Sequence, residues 1–179
     1  MAAPKEKTLQ NLAGRWTLNK KHSDDFAQVL ELQGVNMLIR KAIGTASVHL
    51  KIMQPSSNEI KMEQTATSMS IPGTTEQYTL DWEWRENHDA FFGDIKGRSR
   101  WVSQEEAKEN GGSGDWDADD SEGKLVEAVG KKPDDEWGAT HLWGFEEVGG
   151  ERRHTRRVHF THSNGKELNV RMVYDFDGE

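Results

Sequence analysis

The sequence predicts an all-β fold: a ten-stranded antiparallel up-and-down barrel with a two-helix lid between its first and second strands. Three observations predict it. One short alternating run precedes two short stretches with apolar residues at helical spacing. Alternating runs then follow one another from Ala46 to the end. Seven Trp and six Phe supply concentrated apolar area to a chain that is otherwise polar, with 34% hydrophobic residues and a mean hydropathy of -0.88.

The elements follow in order. Residues 1–10 read as a polar, flexible tail, and residues 11–179 as a single barrel domain. Leu12 to Leu18 alternates as the first strand. Ser23-Asp24-Asp25 then has the character of a helix start, and Phe26, Val29 and Leu30 share one helical face. Gln33-Gly34 interrupts, and a second face carries Val35, Leu38, Ile39 and Ala42 up to Gly44. The lid is thus expected at about 23–44, with Phe26, Leu30, Leu38 and Ile39 turned towards the barrel. Strands are expected at Val48–Ile52, ending at Pro55, and at Ile60–Ala66, ending at Ile71-Pro72-Gly73. The run Tyr78-Thr-Leu80-Asp-Trp82-Glu-Trp84 alternates most cleanly. A short Phe91-Phe92 strand and the run Gly97–Val102 follow. A long acidic, Gly-rich loop at about 104–122 precedes strands at Lys124–Val129, Trp137–Phe145, Arg152–Thr161 and Glu167–Tyr174. The last two are joined through Asn164-Gly165, a strong hairpin signal.

Composition narrows the function classes. A chain of 179 residues builds one domain with a sizeable core. A net charge of -8 argues against nucleic acid as a partner, since phosphate binding needs a basic face. The absence of cysteine removes disulfides, thiolate nucleophiles and thiolate metal sites. No apolar run approaches a membrane span, so stable membrane insertion is not expected and the cytoplasm is the expected location. Asp115-x-Asp117-x-Asp119 begins like a calcium loop. It has Asp120 where glycine is needed and Val126 where glutamate is needed, so no metal is expected. No cofactor motif is present.

Three segments resemble the intracellular lipid-binding proteins, the fatty-acid-binding branch of the calycin superfamily. Leu12-Ala-Gly14-Arg-Trp16 resembles the first-strand Gly-x-Trp signature. Ser23 to Gly34 and Val35 to Ile43 resemble the family's helix–turn–helix, and Val170–Tyr174 resembles its last strand. The resemblance implies a ten-stranded barrel around a cavity, entered beside the helices, for fatty acids, retinoids or similar ligands. Two departures stand out. The family's inward Arg-x-Tyr pair on the last strand is not intact here: Met172 stands two before Tyr174, and Arg171 falls on the opposite face. The chain is also longer than the family's usual length.

If the inner face is the one carrying the large apolar residues, the candidate ligand-binding set is Tyr78, Trp82, Trp84, Trp101, His141, Trp143, Arg156, Phe160, Met172 and Tyr174. Such a lining makes an aromatic pocket with a few orienting polar groups; the alternative is a barrel simply filled with aromatics. Arg156 either faces that interior, where it needs a carboxylate or a ligand anion, or joins Arg152, Arg153 and Arg157 in a solvated stripe facing the acidic loop. Arg98 and Arg100 lie on the face opposite Trp101. The expected function is intracellular binding or transport of a hydrophobic small molecule: a lipid, a fatty acid, or a terpenoid- or polyketide-like compound. The alternative is a barrel enzyme of isomerase or cyclase type, with His141, His154 and Tyr174 transferring protons. A third reading uses the acidic loop as a protein-interaction module.

Overall fold

The computed structural model describes residues 1–67, 73–110 and 112–179. Its ten strands are β1 (Gly14–Leu18), β2 (Val48–Ser56), β3 (Glu59–Ala66), β4 (Thr74–Thr79), β5 (Arg85–Asp89), β6 (Gly93–Ser103), β7 (Lys124–Lys131), β8 (Trp137–Val148), β9 (Glu151–His162) and β10 (Glu167–Gly178). They form one antiparallel sheet in the order β4-β3-β2-β1-β10-β9-β8-β7-β6-β5. Pairing of β1 with β10 curls this meander into a barrel. One seam remains, because β4 pairs with β3 and β5 with β6 but not with each other. At its lower end the seam is stitched shut: Ser99 Oγ donates to the Thr79 carbonyl at 3.0 Å, and the Trp82 N–H donates to the Ser99 carbonyl at 2.8 Å.

Between β1 and β2 lie the helices α1 (Ala27–Leu32) and α2 (Met37–Thr45). Asp25 Oδ1 accepts the Ala27 N–H at 2.9 Å, and Asn36 Oδ1 caps α2 by accepting the Ile39 N–H at 3.0 Å. An Arg40–Glu31 ion pair of 2.8 Å ties the two together. The phase of α2 differs from the expected one. Val35 and Ile43 face the barrel, with half-buried Ile39 a turn from each, whereas Leu38 is 75% exposed. The cap at Asn36 sets that phase, and at about 100° per residue Leu38 swings outward.

Two runs read as strands are not strands. The Tyr78–Trp84 alternation stops at Thr79, where Leu80 bonds to the Asn58 carbonyl and Asp81 Oδ1 accepts the Glu83 N–H, folding the chain into a turn. Trp82 there takes φ 65°. Phe91-Phe92 is the turn between β5 and β6, with Asp89 Oδ1 accepting both N–H groups. The count of ten is recovered because Arg85–Asp89, a charged run without an apolar face, is β5. The expected turn at Ile71-Pro72 lies outside the described residues, as does Gly111 of the Gly-rich loop.

Residues 1–10, expected as a flexible tail, close the lower end. The Ala3 N–H donates to the Arg152 carbonyl at 2.7 Å, and the Phe176 N–H to the Met1 carbonyl at 3.0 Å. Leu9 and Leu12 are fully buried. Arg152 clamps the plug from outside, donating to the carbonyls of Pro4 and Lys7 and pairing with Asp117 and Asp120. Polar neighbours mask the plug in the sequence; its buried apolar residues are Ala3, Leu9 and Leu12. Above it, Trp16, Phe145, Tyr174 and Phe176 pack into one cluster with Ile52, Ile60 and Met62. Gly14 serves that packing. It sits at φ +137°, and a Cβ there would stand 2.8 Å from the Phe176 ring.

The 104–122 stretch is largely ordered on the outer wall. It begins with helix α3 (Gln104–Glu109), and Trp116 packs with Val102, Ala107, Leu125 and Leu142 in a small outer core. Gly144 on β8 makes room for it, since a Cβ would lie inside van der Waals contact of the Trp116 ring. Gly144→Ala should therefore cost about 1–3 kcal/mol through overpacking. The measurement is the urea midpoint at unchanged slope.

Candidate functional site

The upper half of the barrel is hollow. A cavity of about 700 Å³ reaches from α1 and α2 down to the Tyr78 and Arg156 side chains. That volume lies within the range of small-molecule sites. Its upper walls are apolar: Phe26, Val29 and Leu30 from the helices, Phe92 and Ile95 from the β5–β6 hairpin, and Trp137, Val158, Val170 and Met172 from the barrel. Alternation along β8, β9 and β10 places these side chains inward, and the apolar face of α1 covers them.

Polar groups gather at the cavity floor. Arg156 is the central one, only 4% exposed. Of the four arginines on β9, Arg152, Arg153 and Arg157 are paired with carboxylates; Arg157, for example, bonds buried Glu146 at 2.7 Å. Arg156 turns inward and, among the described residues, forms no ion pair. Its partners are neutral. Nε donates to His154 Nε2 at 3.4 Å, Nη2 to Met62 Sδ at 2.9 Å, and the guanidinium lies 4.0 Å from the Trp143 ring and 5.2 Å from that of Tyr174. His154 is fixed for this role by the Gly144 carbonyl 3.0 Å from Nδ1. That acceptor puts the proton on Nδ1 and leaves the Nε2 lone pair towards Arg156. Tyr78 stands edge-on to Trp143 at 4.8 Å between ring centres, its hydroxyl donating to Glu76.

These groups keep their neutral forms. Burial, with Arg156 adding to it, lowers His141 to about 4 and drives His154 well below the usual histidine value. Burial, reinforced by Glu76, raises Tyr78 well above the usual tyrosine value, and burial raises Tyr174. None is poised near neutrality, where a general acid or base works best. The floor sets the Arg156 cation and, one hydrogen bond beyond Tyr78, the Glu76 carboxylate next to an apolar chamber.

Depression of His141 gives a pH signature. Between about pH 6.5 and 4 the unfolded chain takes up a proton that the folded chain refuses, so stability falls as pH drops through that window. In His141→Gln that part of the decline should vanish, as read from unfolding midpoints of both proteins across the window.

The structure distributes the sequence-derived candidates as follows. Tyr78, His141, Arg156, Met172 and Tyr174 line the cavity, as do Phe26 and Leu30 of the lid. Trp143 and Phe160 are fully buried behind the lining, Trp143 beneath Arg156 and Phe160 stacked on Trp137. Half-buried Trp101 packs against the lower core, its Nε1 3.2 Å from the Ser57 carbonyl. His154 lies under the floor. Trp82 and Trp84 do not face inward. The turn after Thr79 throws them onto the outer wall, where Trp82 covers Arg98 at 3.8 Å and Arg100 at 4.3 Å, and Trp84 is 42% exposed. Arg171 points away from the cavity towards the His22 carbonyl. Sequence reasoning missed Glu76, whose signal was its place two residues before Tyr78 on the same strand face. It also missed Met62 as a partner of Arg156. Among the described residues no cluster of His, Asp and Glu converges to hold a metal ion, and no helix is long and apolar enough to cross a membrane.

No protein-family model matches the chain. The fold is that of the fatty-acid-binding proteins: a Schistosoma mansoni fatty acid binding protein, solved with arachidonic acid, superposes with a TM-score of 0.61 at 12% identity, over 94% of this chain and 98% of that one. Two curated proteins match in sequence from end to end. The pericyclase pydY of an Acremonium species is 26% identical over 193 residues, covering 99% of this chain and 98% of that protein. The probable pericyclase scpY of Mollisia scopiformis is 30% identical over 187 residues, covering 99% and 95%. The chain belongs to the scpY family, built on a divergent fatty-acid-binding-protein barrel.

Proposed function

We propose that this chain is a pericyclase: it folds a flexible, hydrophobic, conjugated substrate inside the barrel and promotes its concerted ring closure. The observation that carries the reading is Arg156, a buried cation held, among the described residues, by neutral partners and aimed at an apolar chamber. The end-to-end similarity to two relatives named as pericyclases supports it. A pericyclic closure moves π electrons into new σ bonds within one molecule. No atom enters or leaves, and neither a nucleophile, a proton shuttle nor a redox cofactor is required. Two contributions remain for the protein. Apolar walls under the helices hold the chain in a near-closed conformer, which removes much of the entropic barrier. Arg156 donates towards a carbonyl conjugated to the reacting carbons and stabilises the charge that builds there. Neutral His141 and His154 suit this role better than proton transfer does.

The test offers the protein a panel of acyclic polyenes bearing an unsaturated carbonyl. Loss of conjugated absorbance with a product of unchanged mass is the expected result. A second reading, a carrier of a hydrophobic small molecule, is favoured by the fatty-acid-binding-protein fold. Saturable quenching of tryptophan fluorescence by these compounds, with every one returned unchanged, would establish the carrier instead.

A further inference from the structure

The cavity wall is not uniform. Under the helices and the β5–β6 hairpin it is apolar, whereas along the unpaired seam it is made of Thr74–Thr79 on one side and Arg85, Glu86, Asn87 and Asp89 on the other. Arg85 to His88 are exposed, and Arg85, Glu86 and Asn87 among them line the cavity along the seam. Strand edges bearing such a charged run discourage the addition of another strand. The seam is therefore a gap guarded against closure by peptide and, among the described residues, sealed at its lower end by the Ser99–Thr79 and Trp82–Ser99 bonds. The polar floor adjoins it: Glu76 and Tyr78 belong to β4, the strand that forms one lip.

We propose that this seam is a second subsite of the chamber, taking the polar end of a two-part substrate. The substrate class is a long apolar chain joined through a carbonyl to a hydrophilic head. The carbonyl sits at Arg156 and Tyr78, the chain lies upward beneath α1 and α2, and the head extends outward between Thr75 and Asn87. This rests on the reading of the cavity as a substrate chamber. It adds a directional prediction: bulk is tolerated beyond the carbonyl and refused at the far end of the chain, where Trp137, Phe92 and the helices close the space.

Binding alone tests it, without turnover. Tryptophan fluorescence of the intact protein is titrated with three probes: a long-chain fatty acid, its amide with a hydrophilic dipeptide, and the same acid capped at its far end with a triaryl group. The acid and the amide should bind within about threefold of each other, and the capped acid should lose about tenfold or more. In Asn87→Trp, a change at an exposed position of the β5 lip, the amide should weaken about tenfold while the plain acid is unaffected. A thermal melt checks that the variant is folded. Loss of the amide to the level of the capped acid overturns the seam while leaving the chamber. Failure of all three to bind overturns the chamber and the seam with it.

Discussion

Arg156→Met should weaken binding of carbonyl-bearing apolar ligands by one to two orders of magnitude while leaving the protein at least as stable as before. The two effects have one cause. A guanidinium at 4% exposure without a carboxylate partner is a desolvated charge, and the fold gains little from it. Methionine fills much of the same space beside Met62 and Trp143 with no charge to hydrate. A ligand oxygen loses a charge-assisted hydrogen bond, worth about 1.5–3 kcal/mol. Fluorescence titration with a fatty acid measures the first effect and the thermal midpoint measures the second. A large fall in stability with unchanged affinity would show that Arg156 is a structural member of the floor.

Trp16→Ala should be the most destabilising single truncation, at about 3–5 kcal/mol. The Trp16 ring meets Phe176 at 4.9 Å, His154 at 5.6 Å and Phe145 at 6.1 Å, and its Nε1 donates to the Leu12 carbonyl at 3.0 Å. It thereby joins the first strand, the plug and the last strand in one contact set. For a chain of this size the midpoint should drop by roughly 6–20 °C, a shift that calorimetry reads directly. Truncating exposed Leu38, by contrast, should change the midpoint little.

The architecture was legible because it rests on periodicity: alternation marked most of the strands, and Ser23 to Gly44 marked the helices. The errors have local physical causes. Tyr78 to Trp84 alternates in composition, but Asp81 bonding to the backbone two residues on turns the chain, and alternation cannot register a side-chain bond of that kind. Strand β5 has no apolar face because its sides meet the seam and solvent, so it carries no hydrophobic signal. The plug rests on three small or aliphatic residues among lysines and glutamate. At the site, strand phase turned Tyr78, His141, Met172 and Tyr174 inward, while for Arg156 it left the interior and a solvated stripe both open until the barrel wall was in place. The neutral partners of Arg156 did not follow from phase, because Met62 is 94 residues away, and only closure of the barrel brings it near.

The lower barrel is filled by Trp16, Phe145, Phe176 and the plug of residues 1–13, while the upper barrel is empty. Cohesion is thus concentrated in one end and the cavity in the other. Substitutions around Phe92, Ile95, Val158 and Val170 alter the shape of the void and leave the solid end intact. A lineage with this arrangement can exchange one cavity shape for another by successive wall mutations, each tested against selection without a folding penalty large enough to remove it first.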